Sequence, residues 1–262
     1  MPLVTVYEVI PFKGTFEKVQ ALPHGSKVSI TASPAKGLDA TLELAGALHN
    51  SGYTAIPHLS ARMIENRAHL DRIIADLETA GIHRIFVVGG DAEEPGEYFD
   101  AVTLLSAIRE SGHPFSEIGI TGYPEGHPFI SDEKLWEALA AKREMGTYIA
   151  TQMCFDVAAI RRWIEEVRAR GIDLPVMVGI PGVVDPVKLA GIAARIGVGS
   201  SIRYLSKNRR AIGRLLRPGS YKPGGLVTKL AALPAELGII GLHVFTFNQI
   251  EATAAWAAHE AD

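Results

Sequence analysis

The chain has 262 residues, 47% of them hydrophobic and 21% charged, and a net charge of −3. That length suits a single α/β barrel with a large buried core, and the small acidic excess offers no general attraction to nucleic acid or to an anionic membrane surface. One cysteine, Cys154, excludes an internal disulfide framework and a multi-cysteine zinc site. No apolar run approaches the ~20 residues that span a bilayer, and the start Met-Pro-Leu-Val-Thr-Val does not read as a signal peptide, so a cytoplasmic protein is expected.

Short apolar runs rich in β-branched residues alternate with amphipathic stretches, the pattern of a parallel α/β fold. Strands are expected near Val4–Ile10, Lys27–Ala32, Thr54–Ser60, Arg84–Asp91, Ile118–Pro124, Tyr148–Asp156, Pro175–Gly182 and Leu242–Asn248. Between the third and fourth, Leu70, Ile73, Ile74 and Leu77 share a helical face; between the sixth and seventh, Val157, Ile160, Ile164 and Val167 do. Gly52, Gly81, Gly112 and Gly171 each stand just before a strand, as C-terminal caps of the preceding helices would. No strand is followed by G-x-G-x-x-G, so the eight βα units predict one (β/α)8 TIM barrel spanning residues 1–262 rather than a doubly wound sheet. An extra helix and a Pro/Gly-rich loop are expected in 199–225, between strands seven and eight.

Chemistry in this fold is built at the C-terminal ends of the strands. Those ends carry Glu8, Thr31, His58, Asp91, Tyr123 with His127, Gln152 and Asn248. Each alone has an ordinary structural use as a cap, turn or rim residue; together, at one end of one barrel, they point to a site. Gly89-Gly90-Asp91 lets backbone approach a ligand closely and then presents a carboxylate, or forms a tight turn with an Asx cap. Tyr123-Pro124-Glu125-Gly126-His127-Pro128 displays an aromatic ring and an imidazole on a loop stiffened by two prolines. Gln152 places an amide within an apolar strand, where it needs a partner, and Cys154 reads as a buried, inert thiol. The histidines are too scattered along the chain for a metal site, and His49, His69 and His113 read as surface or cap residues. No acidic residue occurs between Pro186 and Ala235, whereas Arg203, Lys207, Arg209, Arg210, Arg214, Arg217 and Lys222 do, so an anionic ligand is expected there unless the run is a solvated face.

Taken in order, these residues resemble the methylenetetrahydrofolate reductase family, in its short single-domain bacterial form. The resemblance is carried by Glu8 in Val6-Tyr7-Glu8-Val9-Ile10-Pro11, Val28-Ser29-Ile30-Thr31, Pro57-His58-Leu59, Gly90-Asp91, Tyr98, Tyr123-Pro124-Glu125 with His127-Pro128, Lys142, Thr151-Gln152 with Phe155-Asp156, and His243 to Asn248. It implies FAD held by Thr31, His58, Gly90, Asp91, Tyr98, Tyr123, His127 and Lys142. It further implies a tetrahydrofolate derivative bound by Glu8, Asp91, Gln152, Phe245 and Asn248, with Arg203 and Lys207 on its anionic part. NADH or NADPH would donate the hydride in a ping-pong cycle that reduces 5,10-methylenetetrahydrofolate to 5-methyltetrahydrofolate, or runs in reverse. Glu8 would be the general acid, Asp91 the ionised carboxylate that stabilises a cationic iminium, and Gln152 the residue that orients the pterin. A homo-oligomer is implied, with neither nucleic acid nor membrane as partner. Gly89, Ala138 and Gln249 depart from the family pattern. Two alternatives stay open: a reductase that uses a deazaflavin or no flavin, and a non-catalytic folate-binding subunit.

Overall fold

The computed structural model describes residues 4–127, 129–183, 185 and 222–261. Eight parallel strands close in chain order: β1 (Val4–Val9), β2 (Lys27–Ile30), β3 (Thr54–Ser60), β4 (Arg84–Val88), β5 (Glu117–Gly122), β6 (Tyr148–Thr151), β7 (Val176–Pro181) and β8 (Ile239–Phe245), with β8 paired back to β1. Around them run α1 (Thr15–Val19), α2 (Asp39–Asn50), α3 (Arg67–Thr79), α4 (Ala101–Glu110), α5 (Asp132–Lys142), α6 (Val157–Ala169), α7 (Gly224–Ala231) and α8 (Ile250–Ala261). This is the (β/α)8 barrel that the alternation predicts. No helix among the described residues is long and apolar enough to cross a membrane.

Local chemistry starts and stops the helices. Asn66, Ser131 and Asp156 each accept a backbone N–H of the first turn of α3, α5 and α6, and Asp100 with Thr103 forms a reciprocal capping box on α4. Gly52, Gly81, Gly112 and Gly171 all take left-handed backbone, with φ of 84°, 74°, 68° and 69°, where a side chain would be strained. The buried face of α3 is Leu70, Ile73, Ile74 and Leu77, as the spacing predicts. On α6 the face is Ala159, Ile160, Trp163, Ile164 and Val167, while Val157 stays only half-buried at the first turn.

Alternation along each strand sends one set of side chains outward to the helices and the other into the barrel. Val6, Ile56, Phe86, Tyr148, Ala150 and Met177 fill the interior. Gly119 makes room for two of them: a Cβ there would collide with the Phe86 and Tyr148 rings. At the N-terminal end Glu117 bridges Arg84 at 2.8 Å and Lys27 at 3.3 Å, first residues of β5, β4 and β2 that close that mouth with charge.

Several expected strands are too long at their C-terminal ends. β4 stops at Val88, because Gly90 turns into left-handed backbone with φ 83°; β5 stops at Gly122 and β6 at Thr151, short of the expected Pro124 and Asp156.

 The residues beyond these points leave the hydrogen-bonded ladder and form the loops of the C-terminal mouth. β1 and β2 likewise end at Val9 and Ile30. β8 begins at Ile239, earlier than expected, and ends at Phe245, because Phe247 and Asn248 adopt φ of 48° and 56°, which no strand accommodates. Of the extra segment expected over 199–225, only residues 222–225 lie among the described residues, where α7 begins at Gly224.

Candidate active site

Barrel closure sets the centre of the site. Glu8 pairs in register with Ser29 of β2 and with Phe245 of β8, and all three side chains lie on the inward-facing set of their strands. Glu8 Oε2 lies 2.9 Å from His243 Nε2 and 3.8 Å from His58 Nε2, and His58 Nε2 lies 2.6 Å from Ser29 Oγ. The carboxylate side chain keeps 15% of its surface exposed, against 7% for His58 and 2% for His243. Phe86 lies 4.8 Å from the His58 ring, and Phe245 lies 5.2 Å from the His243 ring, so the acid sits in a wall that is half aromatic. Burial pushes the His58 imidazole down to about 4, against the opposing pull of the Glu8 carboxylate and with a smaller push from His243, so His58 is neutral at neutral pH. His243 Nδ1 is buried without a hydrogen-bond partner among the described residues.

Although the histidines are scattered along the chain, barrel closure brings two of them, His58 and His243, beside Glu8. Glu8, His58 and His243 present ligand-type atoms within 4.8 Å of one another. The 2.9 Å approach of Glu8 to His243 is a hydrogen-bond distance, tighter than the ~3.3 Å between neighbouring donors on a tetrahedral metal with ~2.0 Å bonds. The sequence signal for His243 and Ser29 is the two-residue period: His243 precedes Phe245 by two, and Ser29 precedes Thr31 by two, which puts each pair on one strand face.

A second group surrounds the loops after β4 and β5. Asp91 is exposed, and its charge acts on both Tyr123 and His127. Burial raises the Tyr123 phenol, with Asp91 adding to the rise; burial lowers the His127 imidazole, with Asp91 opposing it. The Tyr123 and His127 rings meet edge to face at 5.4 Å. Gly90 lies over Ser60: a Cβ at Gly90 would run into the Ser60 hydroxyl, which is itself buried without a hydrogen-bond partner among the described residues. Lys142, at the end of α5, buries its ammonium and donates to the carbonyl and hydroxyl oxygens of Thr121 at 3.3 and 3.1 Å. It forms no ion pair among the described residues, and burial lowers it to about 8, with Asp100 opposing. Tyr123 shares the same Thr121 hydroxyl, so the cation and the phenol are joined through one side chain. Thr31 is half-buried just beyond β2, tied through its backbone to Val9 and Thr41.

Other candidates fall in different places. Gln152 is exposed one residue past β6, and its amide oxygen accepts from the neighbouring Met153 N–H rather than from a partner inside the strand. Tyr98 is buried in the outer core, where Glu97 and the charged residues Arg67, Asp71 and Glu110 of α3 and α4 act on its phenol. Asn248 has structural work: its amide accepts from Ile10 N at 2.8 Å and donates to Ile10 O and Thr15 Oγ1 at 2.9 Å each. Phe245 is half-buried beside His243. Arg203 and Lys207, with most of the basic run, lie outside the described residues. Cys154 is buried and burial pushes its thiol up, which leaves it protonated at neutral pH, as expected of an inert cysteine. A cavity of about 200 Å³ opens behind Tyr123, between the 122–126 loop, α5 and α6, and is lined in part by Trp136 and Trp163; none of Glu8, His58 or His243 borders it.

Comparison with solved structures supports the barrel alone. A chitinase from Cycas revoluta matches 99% of this chain and all of its own at 13% identity and a TM-score of 0.52; a 2,3-dimethylmalate lyase matches 99% and 80% at 11% identity and 0.56. Sequence comparison is more specific. A 5,10-methylenetetrahydrofolate reductase of Pectobacterium carotovorum subsp. carotovorum is 33% identical over 137 residues, covering 50% of this chain and 44% of that protein. Methylenetetrahydrofolate reductase 2 of Saccharomyces cerevisiae is 32% identical over 123 residues, covering 42% of this chain and 20% of the yeast protein. The matched part is thus less than half the length of either relative. The family model described as methylenetetrahydrofolate reductase matches residues 12–197, well over half of the chain, and the chain belongs to that family.

Proposed function

We propose that the protein reduces 5,10-methylenetetrahydrofolate to 5-methyltetrahydrofolate with NADH or NADPH, through FAD in a ping-pong cycle. The observation that carries this reading is Glu8: a carboxyl group held in the catalytic end of the barrel by His243, in a chain of the methylenetetrahydrofolate reductase family. Glu8 and His243 both lie outside residues 12–197, so their part in the reading rests on the geometry of the barrel.

Three features suit a dinucleotide cofactor at the mouth. Gly90 keeps the β4 loop free of a side chain, and among the described residues the Ser60 hydroxyl beneath it lacks a hydrogen-bond partner and the buried Lys142 ammonium forms no ion pair. Thr31, His58, Gly90, Asp91, Tyr123, His127 and Lys142 would hold the flavin; Tyr98 would act only from the outer core, by supporting the loop. The flavin, when bound, supplies the hydride relay between the nicotinamide and the folate.

The chain's own residues then have separable tasks. Opening the methylene bridge requires a proton on its departing nitrogen, and Glu8 supplies it. The iminium so formed on the folate is cationic, and the Asp91 carboxylate favours it over the closed ring. Gln152, exposed at the end of β6, is free to turn its amide from Met153 toward the pterin, and Phe245 walls the pocket beside Glu8. Arg203 and Lys207 would bind the anionic tail. Asn248 supports the site by joining the end of β8 to Ile10 instead of contacting substrate.

The test is an anaerobic cycle on the purified protein. NADH or NADPH should bleach the flavin spectrum, and methylenetetrahydrofolate should restore it with formation of 5-methyltetrahydrofolate. Protein that takes up FAD but shows neither step refutes the activity; folate reduction by colourless protein, independent of added FAD, would replace the flavin with direct transfer from the nicotinamide, a reading that Gly89 and Ala138 motivate.

A further inference from the structure

We infer that His243 is the positioning residue of Glu8: its Nε2–H anchors Oε2 and thereby leaves Oε1 as the oxygen that carries the transferable proton. This rests on the reading of Glu8 as the acid and adds a residue to it. The first observation is the 2.9 Å approach between His243 Nε2 and Glu8 Oε2, which requires one hydrogen between them. The second is that His243 Nδ1 is buried and has no hydrogen-bond partner among the described residues. An imidazolium would carry hydrogens on both nitrogens, burying one N–H donor with nothing to accept it. A neutral ring with its hydrogen on Nδ1 has the same orphan donor. Only the neutral Nε2–H tautomer satisfies the contact to Glu8 and leaves a bare lone pair at Nδ1, the cheaper of the two orphans.

The consequence falls on Glu8. Two hydrogens cannot occupy the same 2.9 Å contact, so a protonated Glu8 that faces the Nε2–H must carry its proton on Oε1. Oε1 makes no hydrogen bond among the described residues. The other groups around the carboxyl do not compete for it. From β3, His58 is neutral at neutral pH and its Nε2, 3.8 Å away, is engaged with Ser29; from β2 comes the Ser29 hydroxyl; and no lysine or arginine pairs with Glu8 among the described residues. His243 thus does for the acid what a ring-orienting carboxylate does for a catalytic histidine, with the roles exchanged.

Two variants and one spectrum test this. His243→Gln keeps an N–H donor at about the same reach; His243→Phe keeps a ring without it. In ¹⁵N-histidine-labelled wild-type protein without cofactor, His243 should show a protonated Nε2 and a bare Nδ1. An Nδ1–H tautomer or an imidazolium would overturn the inference whatever the activity. In the loaded enzyme, His243→Phe should slow the folate half-reaction about tenfold or more and move its high-pH limb upward by about one pH unit, since loss of a donor to the carboxylate favours the neutral acid. Flavin reduction by the nicotinamide should stay within a few-fold. His243→Gln should restore both the rate and the limb. Equal losses in the two variants with an unmoved limb would make His243 a packing residue only. Should the Phe variant not fold, the Gln variant and the wild-type spectrum still decide. If Glu8→Gln leaves folate turnover intact, the acid assignment itself fails, and the spectrum still reports the His243 arrangement separately.

Discussion

Glu8→Gln separates the proton from the shape of the site. Glutamine has the size of glutamate, and its amide oxygen can take the place of Glu8 Oε2 in the 2.9 Å contact with His243 Nε2. The hydrogen bond is retained, so the variant should fold and melt close to the parent. Its chemistry should suffer far more. Flavin reduction by NADH or NADPH needs no proton on the folate and should stay within a few-fold. Folate-dependent reoxidation loses its general acid and should fall by roughly 10²–10⁴, equivalent to about 3–5 kcal/mol in the barrier. Anaerobic stopped-flow absorbance resolves the two half-reactions in a single preparation. Equal slowing of both, or of neither, would remove the acid role and return Glu8 to a structural carboxyl in the barrel wall.

Lys142→Met should stabilise the protein without cofactor while weakening its hold on FAD, as read by thermal melts and by fluorescence titration; unchanged FAD affinity would leave Lys142 as a structural amine bound to Thr121. Burial holds the Lys142 ammonium at about 8, below the ~10.5 of an unfolded lysine, so the unfolded chain binds the extra proton between those values: the stabilisation should be full below pH 8 and vanish above pH 10.5. Asn248→Ala removes three hydrogen bonds to Ile10 and Thr15 and should cost about 2–4 kcal/mol in urea unfolding, with little change in the KM for folate; a raised KM at unchanged stability would restore Asn248 to the substrate site.

Much of the architecture is legible because it comes from short-range sterics. The two-residue and helical periods, the left-handed glycines at Gly52, Gly81, Gly112 and Gly171, and the capping residues Asn66, Asp100, Ser131 and Asp156 act within a few residues, so they mark the βα units before any long-range contact forms. Strand ends are less legible for the same reason: the residues of 89–91 and 152–156 continue a plausible run, and only the loss of ladder partners ends it. Membership of the family was legible too, in the Tyr-Pro-Glu-x-His-Pro and Thr-Gln-x-x-Phe-Asp segments and their order along the chain.

What the tertiary structure alone decided is which polar groups meet. Glu8 and His243 are 235 residues apart and touch because β8 closes on β1; no local period encodes that contact. The same closure brings Asn248 onto Ile10, tying the last strand end to the first. It also leaves Gln152 exposed at the mouth and Tyr98 in the outer core. A sequence shows which residues carry chemistry, but burial and partners depend on the neighbouring strands, and in a closed barrel each strand's neighbours are set by the closure of the whole sheet.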